Sequence, residues 1–408
     1  MQQALRSTDT IHRRVFERAW AVALLVLTSL LLATCNGTRR EQASLNAGLQ
    51  KFRAKDYQGC VTELDRVVAA DPTNVLAYGS RAFCRSARGD VDGAIADYSS
   101  AIALSPTNPA TYNNRGAERM RKHDVDGALA DFAAAVHLNP RYAQAYRNLG
   151  TAKRLKGDLR GALDDYGHAI DLEPSTAQGY LDRGAVRVDV GDIAGGLADF
   201  SDAIARNPQS AAAYAARASA RRQQDDNDGA LRDYTRAIEL DPHNALFVYA
   251  RGCIYYDRQL WEQALVDFSK AIQFDPTHAE YARLRTGLVQ LRLGHRREAG
   301  VALRELSASV NAEPDDWARR IATFLDGEQS RGEFLTSAQS TYSPDNKRRE
   351  CQAYFYAGSL RLINRDLHGV RADFEHAVTI GPATVPEYWS ARAELRALKS
   401  RPSGIQRR

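Results

Sequence analysis

Apolar residues recur along most of this chain at helical spacing, and the pattern itself recurs. Within DGALADFAAAVHLNP (126–140), Ala128, Phe132 and Ala135 fall at i, i+4 and i+7, one stripe of a helix. Asn139-Pro140 ends that helix, because the residue before a proline disfavours helix and the proline cannot continue one. Upstream, PATYNNRGAERMRKH carries a second helical pattern, with Tyr112 and Gly116 four apart on one face. The small residues Gly116 and Ala128 predict a close helix pair, with Phe132 filling the neighbouring hole.

The same stretch is written again as QGCVTELDRVVAADP (58–72), DGAIADYSSAIALSP (92–106), RGALDDYGHAIDLEP (160–174), AGGLADFSDAIARNP (194–208), DGALRDYTRAIELDP (228–242) and EQALVDFSKAIQFDP (262–276). These copies start 34 residues apart, and an eighth, HGVRADFEHAVTIGP, starts at 368. A fixed period of this length is the signature of an array. One helix pair cannot bury its own apolar stripe, so neighbours must stack into a solenoid stabilised unit against unit.

Between the seventh and eighth copies the period degenerates. REAGVALRELSASVNAEP (297–314) keeps the stripe but reaches its proline late, and the following segment suggests two short helices. Gly327 ends the first of these, and Ser330 with Glu333 makes a capping-box start for the second. TYSPDNKRR (341–349) reads as a loop, and residues 351–382 as one more repeat. The expected organisation is a leader or anchor over 1–35, a linker over 36–40, and seven regular repeats over 41–276. Degenerate helical repeats over 277–350, a repeat with a final helix over 351–400, and a basic tail over 401–408 complete it.

These residues resemble the tetratricopeptide (TPR) repeat, whose pattern is an aromatic at position 4, Gly or Ala at 8, Ala at 20, an aromatic at 24, Ala at 27 and Pro at 32. With Pro140 at position 32, the chain supplies Tyr112, Gly116, Ala128, Phe132 and Ala135, and the next unit supplies Tyr146, Gly150, Ala162, Tyr166, Ala169 and Pro174. The resemblance implies an all-α fold, a right-handed α-solenoid of antiparallel helix pairs with about eight to ten repeats, two of them degenerate. The order Trp317…FLDG…CQAYFYAG also resembles the C-terminal part of bacterial TPR proteins, including lipoprotein adaptors.

Charged residues recur in register too. Arg81, Arg115, Arg183, Arg217 and Arg251 hold position 7, and Asp97, Asp131, Asp165, Asp199, Asp233 and Asp267 hold position 23. Such regularity suits an Arg–Asp ladder tying helix to helix better than a ligand stripe. Recognition belongs where repeats differ. In TPR proteins first-helix positions 2, 5, 6, 9, 12 and 13 face the groove, and position 6 here includes Asn114, Asn148 and Asp182. Asparagine there resembles the ladder with which related superhelices hold an extended peptide backbone. Arg121, Arg147 and Arg154 add a basic patch suited to a carboxylate, Thr151 replaces the asparagine of the chaperone-binding clamp, and Tyr249, Cys253 and Tyr256 make a more aromatic stretch. The implied partners are proteins or extended peptides, with homo-oligomerisation through the convex or C-terminal surface as the alternative.

The first 35 residues set the compartment. Arg6, Arg13, Arg14 and Arg18 precede AWAVALLVLTSLLLATC (19–35), an uncharged run. Leu32-Ala33-Thr34-Cys35 resembles a bacterial lipobox with Thr34 before the cysteine, and Arg13-Arg14-Val15-Phe16-Glu17-Arg18 resembles a twin-arginine signal. Lipidation at Cys35, plain cleavage, and an uncleaved anchor or no export are the three readings. The first two place the repeats outside the cytoplasm, in a bacterial envelope facing the periplasm.

Composition excludes more than it adds. A net charge of +5 over 408 residues is too weak to argue for nucleic acid, and no nucleic-acid motif accompanies it. Cys60, Cys84, Cys253 and Cys351 show no CxxC and no metal spacing. Cys60 reads either as a small buried packer or as half of a Cys60–Cys84 disulfide in an oxidising compartment. No HExxH, GxSxG, Walker A or GxGxxG occurs, so no enzyme activity, cofactor or metal is expected.

Overall fold

The computed structural model describes residues 39–277, 279–307, 316–339 and 346–400. The leader with Cys35, residues 36–38 of the linker and the basic tail lie outside them. Among the described residues there are 21 helices and no strand. The chain divides into two compact units, residues 1–158 and 159–408. The first unit holds α1 (Arg39–Arg53), α2 (Tyr57–Ala70), α3 (Val75–Ala87), α4 (Val91–Leu104), α5 (Pro109–Arg121), α6 (Val125–Leu138) and α7 (Ala143–Leu155). The second holds α8 (Leu159–Leu172), α9 (Ala177–Asp189), α10 (Ile193–Arg206), α11 (Ala211–Gln223), α12 (Asn227–Leu240), α13 (Ala245–Asp257) and α14 (Trp261–Phe274). It continues with α15 (Glu280–Leu293), α16 (Arg296–Ser307), α17 (Trp317–Leu325), α18 (Arg331–Ala338), α19 (Asn346–Ile363), α20 (Val370–Ile380) and α21 (Pro386–Ser400).

Short local signals place these helices. The second helix of a repeat starts at an aspartate whose carboxylate accepts from the amide three residues on: Asp56 from Gly59, Asp90 from Gly93, Asp124 from Gly127, Asp192 from Gly195 and Asp226 from Gly229. Just before each cap the backbone turns through the left-handed region. Gly89, Gly157 and Gly191 take it without strain, whereas Lys55, His123, Asp225 and Gln259 adopt φ of 59–62° with a side chain in place. His123→Gly is therefore expected to raise stability by about 0.5–1 kcal/mol, read as a shift in the denaturant midpoint. A midpoint that stays or falls would show that the turn carries no strain.

Close approach within a pair is also visible. A Cβ on Gly116 would lie 2.7 Å from the Phe132 ring, so the phenyl group fills the space that the glycine leaves, and it shares one small core with Leu149 and Ala152 of the next repeat.

The N-terminal pair is pinned to the next helix by a disulfide between Cys60 on α2 and Cys84 on α3, with Cα atoms 6.3 Å apart. Around it Leu45, Val61, Leu64, Val67 and Ala77 form a small core, so of the two sequence readings the bonded one is observed.

The degenerate segment keeps the helix-pair design. α15 and α16 are joined through Gly294 at φ +83°, and α18 opens with the Ser330–Glu333 capping box. Helix α19 begins at Asn346, so residues 346–349 are helical rather than loop; no glycine or proline after Pro344 stops Lys347, Arg348 and Arg349 from joining the helix. Likewise α1 starts at Arg39, inside the span read as linker. The final helix, α21, does not simply extend the stack. It packs on α20 and also lies against α13 and α19.

Candidate functional site

The Arg–Asp ladder is present and richer than the sequence suggested. Arg81, Arg115, Arg183, Arg217 and Arg251 each place Nε and Nη2 on both carboxylate oxygens of the aspartate sixteen residues on, at 2.6–3.0 Å. A second arginine one turn later, Arg85, Arg119, Arg187 or Arg221, shares that aspartate at 2.8–2.9 Å. The free Nη1 of the position-7 arginine reaches sixteen residues back into the preceding repeat: Arg81 to Asp65, Arg115 to Ser99, Arg217 to Ser201 and Arg251 to Thr235. Each such arginine thus clasps three helices. Asp165 is buried on α8, and its repeat carries Leu149 at position 7.

In the first unit the polar face of the first helices is hydrogen-bonded within itself. Asn148 Nδ2 donates to Asn113 Oδ1 at 2.8 Å, and Gln144 Nε2 donates to Asn148 Oδ1 at 2.8 Å. Asn114 is only 4% exposed and accepts from Asn113 at 3.4 Å. Its burial leaves it unable to lie along a peptide, whereas Asn148 and Gln144 are half-buried at the surface of the row.

The basic patch is likewise rearranged. Arg121 donates to Glu118 at 2.7 Å and to the Ser86 hydroxyl at 3.1 Å, and Ser86 donates to Glu118 at 2.6 Å. Burial pushes the Glu118 carboxyl above the usual glutamate range, partly offset by Ser86 and Arg121. Arg121 is thereby neutralised by Glu118, an acid one turn away on its own helix. Arg147, half-buried, and Arg154, exposed, stand seven residues apart on one face of α7, and Thr151 between them donates its hydroxyl to the Arg147 carbonyl at 3.0 Å.

The second unit differs. Asp182 on α9 accepts from Gln178 at 2.7 Å, the bond that Gln144 makes to Asn148 one repeat earlier. The aromatic stretch, by contrast, is not a surface. Tyr256 is 1% exposed, edge-on to Trp261 at 5.2 Å and to Phe355 at 6.2 Å. Tyr249 packs on Phe268 at 5.7 Å, and burial holds both phenols above their usual range and the Cys253 thiol up to about 11. Against the same helix, α13, lies α21, which brings charge rather than oil.

A buried chain of hydrogen bonds runs through that contact. Trp317 Nε1 donates to Gln352 at 2.9 Å, and Gln352 donates to Glu387 at 3.3 Å. Arg285, fully buried, donates to Glu387 at 3.2 Å and to the Ser390 hydroxyl at 3.1 Å. Ser390 donates to Asp257 at 2.5 Å, and Arg222 meets the other Asp257 oxygen at 2.5 Å. One turn further along, Arg292 pairs with Glu394. At the rim Arg392 and Arg396 bind Asp225 at 3.0 and 2.7 Å. The sequence signal existed, since Arg285 and Arg292 are seven apart and so are Glu387 and Glu394, but only the fold shows that the two spacings face each other.

Among the described residues no three His, Cys, Asp or Glu side chains cluster as a metal site. No described helix is long and apolar enough to cross a membrane.

Comparison with known proteins agrees with the repeat geometry. The family described as "Tetratricopeptide repeat" matches residues 114–178 and 181–231, and that described as "TPR repeat" matches 86–117 and 218–257. No curated protein matches the chain. Among solved structures, the MamA protein is 22% identical, with 42% of this chain and 94% of that one aligned at a TM-score of 0.39. YrrB, described as a TPR protein with an unusual peptide-binding site, is 23% identical over 46% of this chain and 97% of its own, at 0.38. A tetratricopeptide repeat protein from Parabacteroides merdae is 17% identical over 62% of this chain and 97% of its own, at 0.48. The 34-residue period, the paired helices locked by glycine and aromatic contacts, and the family matches lead to one conclusion: residues 86–178 and 181–257 are built of tetratricopeptide repeats, a protein-interaction scaffold fold.

Proposed function

We propose that this chain is a non-enzymatic adaptor, exported and held at a bacterial membrane by its N-terminus, whose first-helix face in the first unit takes extended, acidic segments of protein partners. The observation that carries the reading is α7. Its half-buried Gln144 and Asn148 amides lie in a row with Arg147, and Arg154 lies one heptad on, so backbone-directed amides stand beside two guanidinium groups. Within its unit α7 packs on α6 and α5, its neighbours in the stack. Export is supported by the lipobox-like Cys35 segment and by the Cys60–Cys84 bond, which persists in oxidising compartments.

Two measurements test it. Intact mass and N-terminal analysis of the membrane fraction should find the chain starting at a lipidated Cys35; a soluble chain retaining residues 1–35 would refute the tether. Immobilised full-length protein screened against extended acidic peptides should retain binders whose affinity drops by about tenfold or more in Arg147→Glu/Arg154→Glu. Binding that ignores both substitutions would rule out this face.

A further inference from the structure

The contact made by α21 is unlike the others in the array. Its buried residues are Glu387, Trp389, Ser390, Ala391 and Glu394, two of them acids, whereas α13 beneath it buries Val248, Gly252, Cys253, Ile254 and Tyr256. Glu387, Ser390 and Glu394 fall at i, i+3 and i+7, one stripe of α21, and each meets a polar group on a first helix: Arg285 on α15, Asp257 on α13 and Arg292 on α15. A slip of one turn would remove both acids from both arginines, so the charges fix the register. They fix it without much net stability, because desolvating two ions cancels most of their attraction. The helix it lies against, α13, carries Tyr249, Cys253, Tyr256 and Asp257 at first-helix positions 5, 9, 12 and 13, the ones that the resemblance turns toward partners, and Ser390 of α21 meets the last of them. Residues 381–385 join α21 to α20, and α21 also packs on α20 and α19.

We propose that the face of α11, α13 and α15 is a helix-binding site and that α21 is its intramolecular occupant, displaced by an external amphipathic helix carrying two carboxylates seven residues apart. This deepens the adaptor reading and rests on it for the external partner. The docked state closes the second unit to partners, and the released state offers Arg285 and Arg292, which lose their acids, beside Tyr249 and Tyr256.

Hydrogen exchange on the full-length protein tests release directly. Amides of α21 should exchange about tenfold or more faster than those of α13 and α15, with the gap widening at high salt as the rim pairs to Asp225 weaken. Equal rates at low and high salt, meaning that α21 opens only when the whole unit does, would overturn the proposal. A second test uses full-length Glu394→Lys, which sets two cations against each other. This variant should expose Arg396 and Lys399 to trypsin and capture a labelled peptide of residues 384–400, which wild type and a peptide with both acids changed to glutamine do not do. A variant that stays protected, that melts throughout the second unit, or that releases α21 yet binds no peptide would each reject the idea. Both readouts follow α21 itself, so failure of the α7 peptide screen would leave them standing, and their failure would leave that screen intact.

Discussion

Asp131→Ala is expected to destabilise the first unit by about 3–5 kcal/mol. The aspartate is 3% exposed and neutralises two guanidinium groups, Arg115 at 2.7 Å and Arg119 at 2.8 Å. Deleting it leaves both cations half-buried without their shared acid, which costs far more than the pair contributes when intact. Arg115→Ala should cost less, because Arg119 still balances Asp131. Asp126 offers the control: it is 79% exposed and pairs with Lys156 at 2.9 Å, so its removal should change little. Denaturant unfolding of the three variants gives the ranking directly. If Asp131 and Asp126 behave alike, the ladder is a solvated ornament and not a clasp.

Loss of the Cys60–Cys84 bond is expected to cost about 3.5 kcal/mol from loop entropy, given a sequence separation of 24. In an array each unit leans on its neighbours, and the N-terminal pair has a neighbour on only one side among the described residues, so unfolding should begin there. The bond joins α2 to α3 at that end. Reduced wild type and Cys60→Ala/Cys84→Ala should both show α1 and α2 exchanging amide hydrogens before α5 and α6, while oxidised wild type holds them together. Identical unfolding of oxidised and reduced protein would show that the thiols are not linked in solution.

The repeats were legible because one constraint is written many times. A proline, an aromatic and a small residue at fixed offsets report the helix ends and the close pair, and Gly116 against Phe132 shows why those sizes are needed. The ladder's second arm was harder to see. Residues at position 25, Asp65, Ser99, Ser201 and Thr235, look like ordinary surface polar groups until a guanidinium lands on them. The candidate faces were read least well. Periodicity says which way a side chain points within its own repeat. It says nothing of a partner arriving from about a hundred residues later, such as Phe355 against Tyr256, or of how deeply Asn114 is buried. Arg121 was misjudged similarly, since Glu118 is three residues away in plain view and only its burial makes the pairing binding.

The clasp of Arg81, Arg115, Arg217 and Arg251, sixteen residues forward and sixteen back, also limits how such a chain can change its length. Removing a full 34-residue copy keeps position 7 in register with positions 23 and 25 of the units around it. Removing any other number misaligns guanidinium and carboxylate on facing helices and strands a charge indoors. Genetic drift in the regular stretch is thereby quantised, and new reach can be gained only in whole modules.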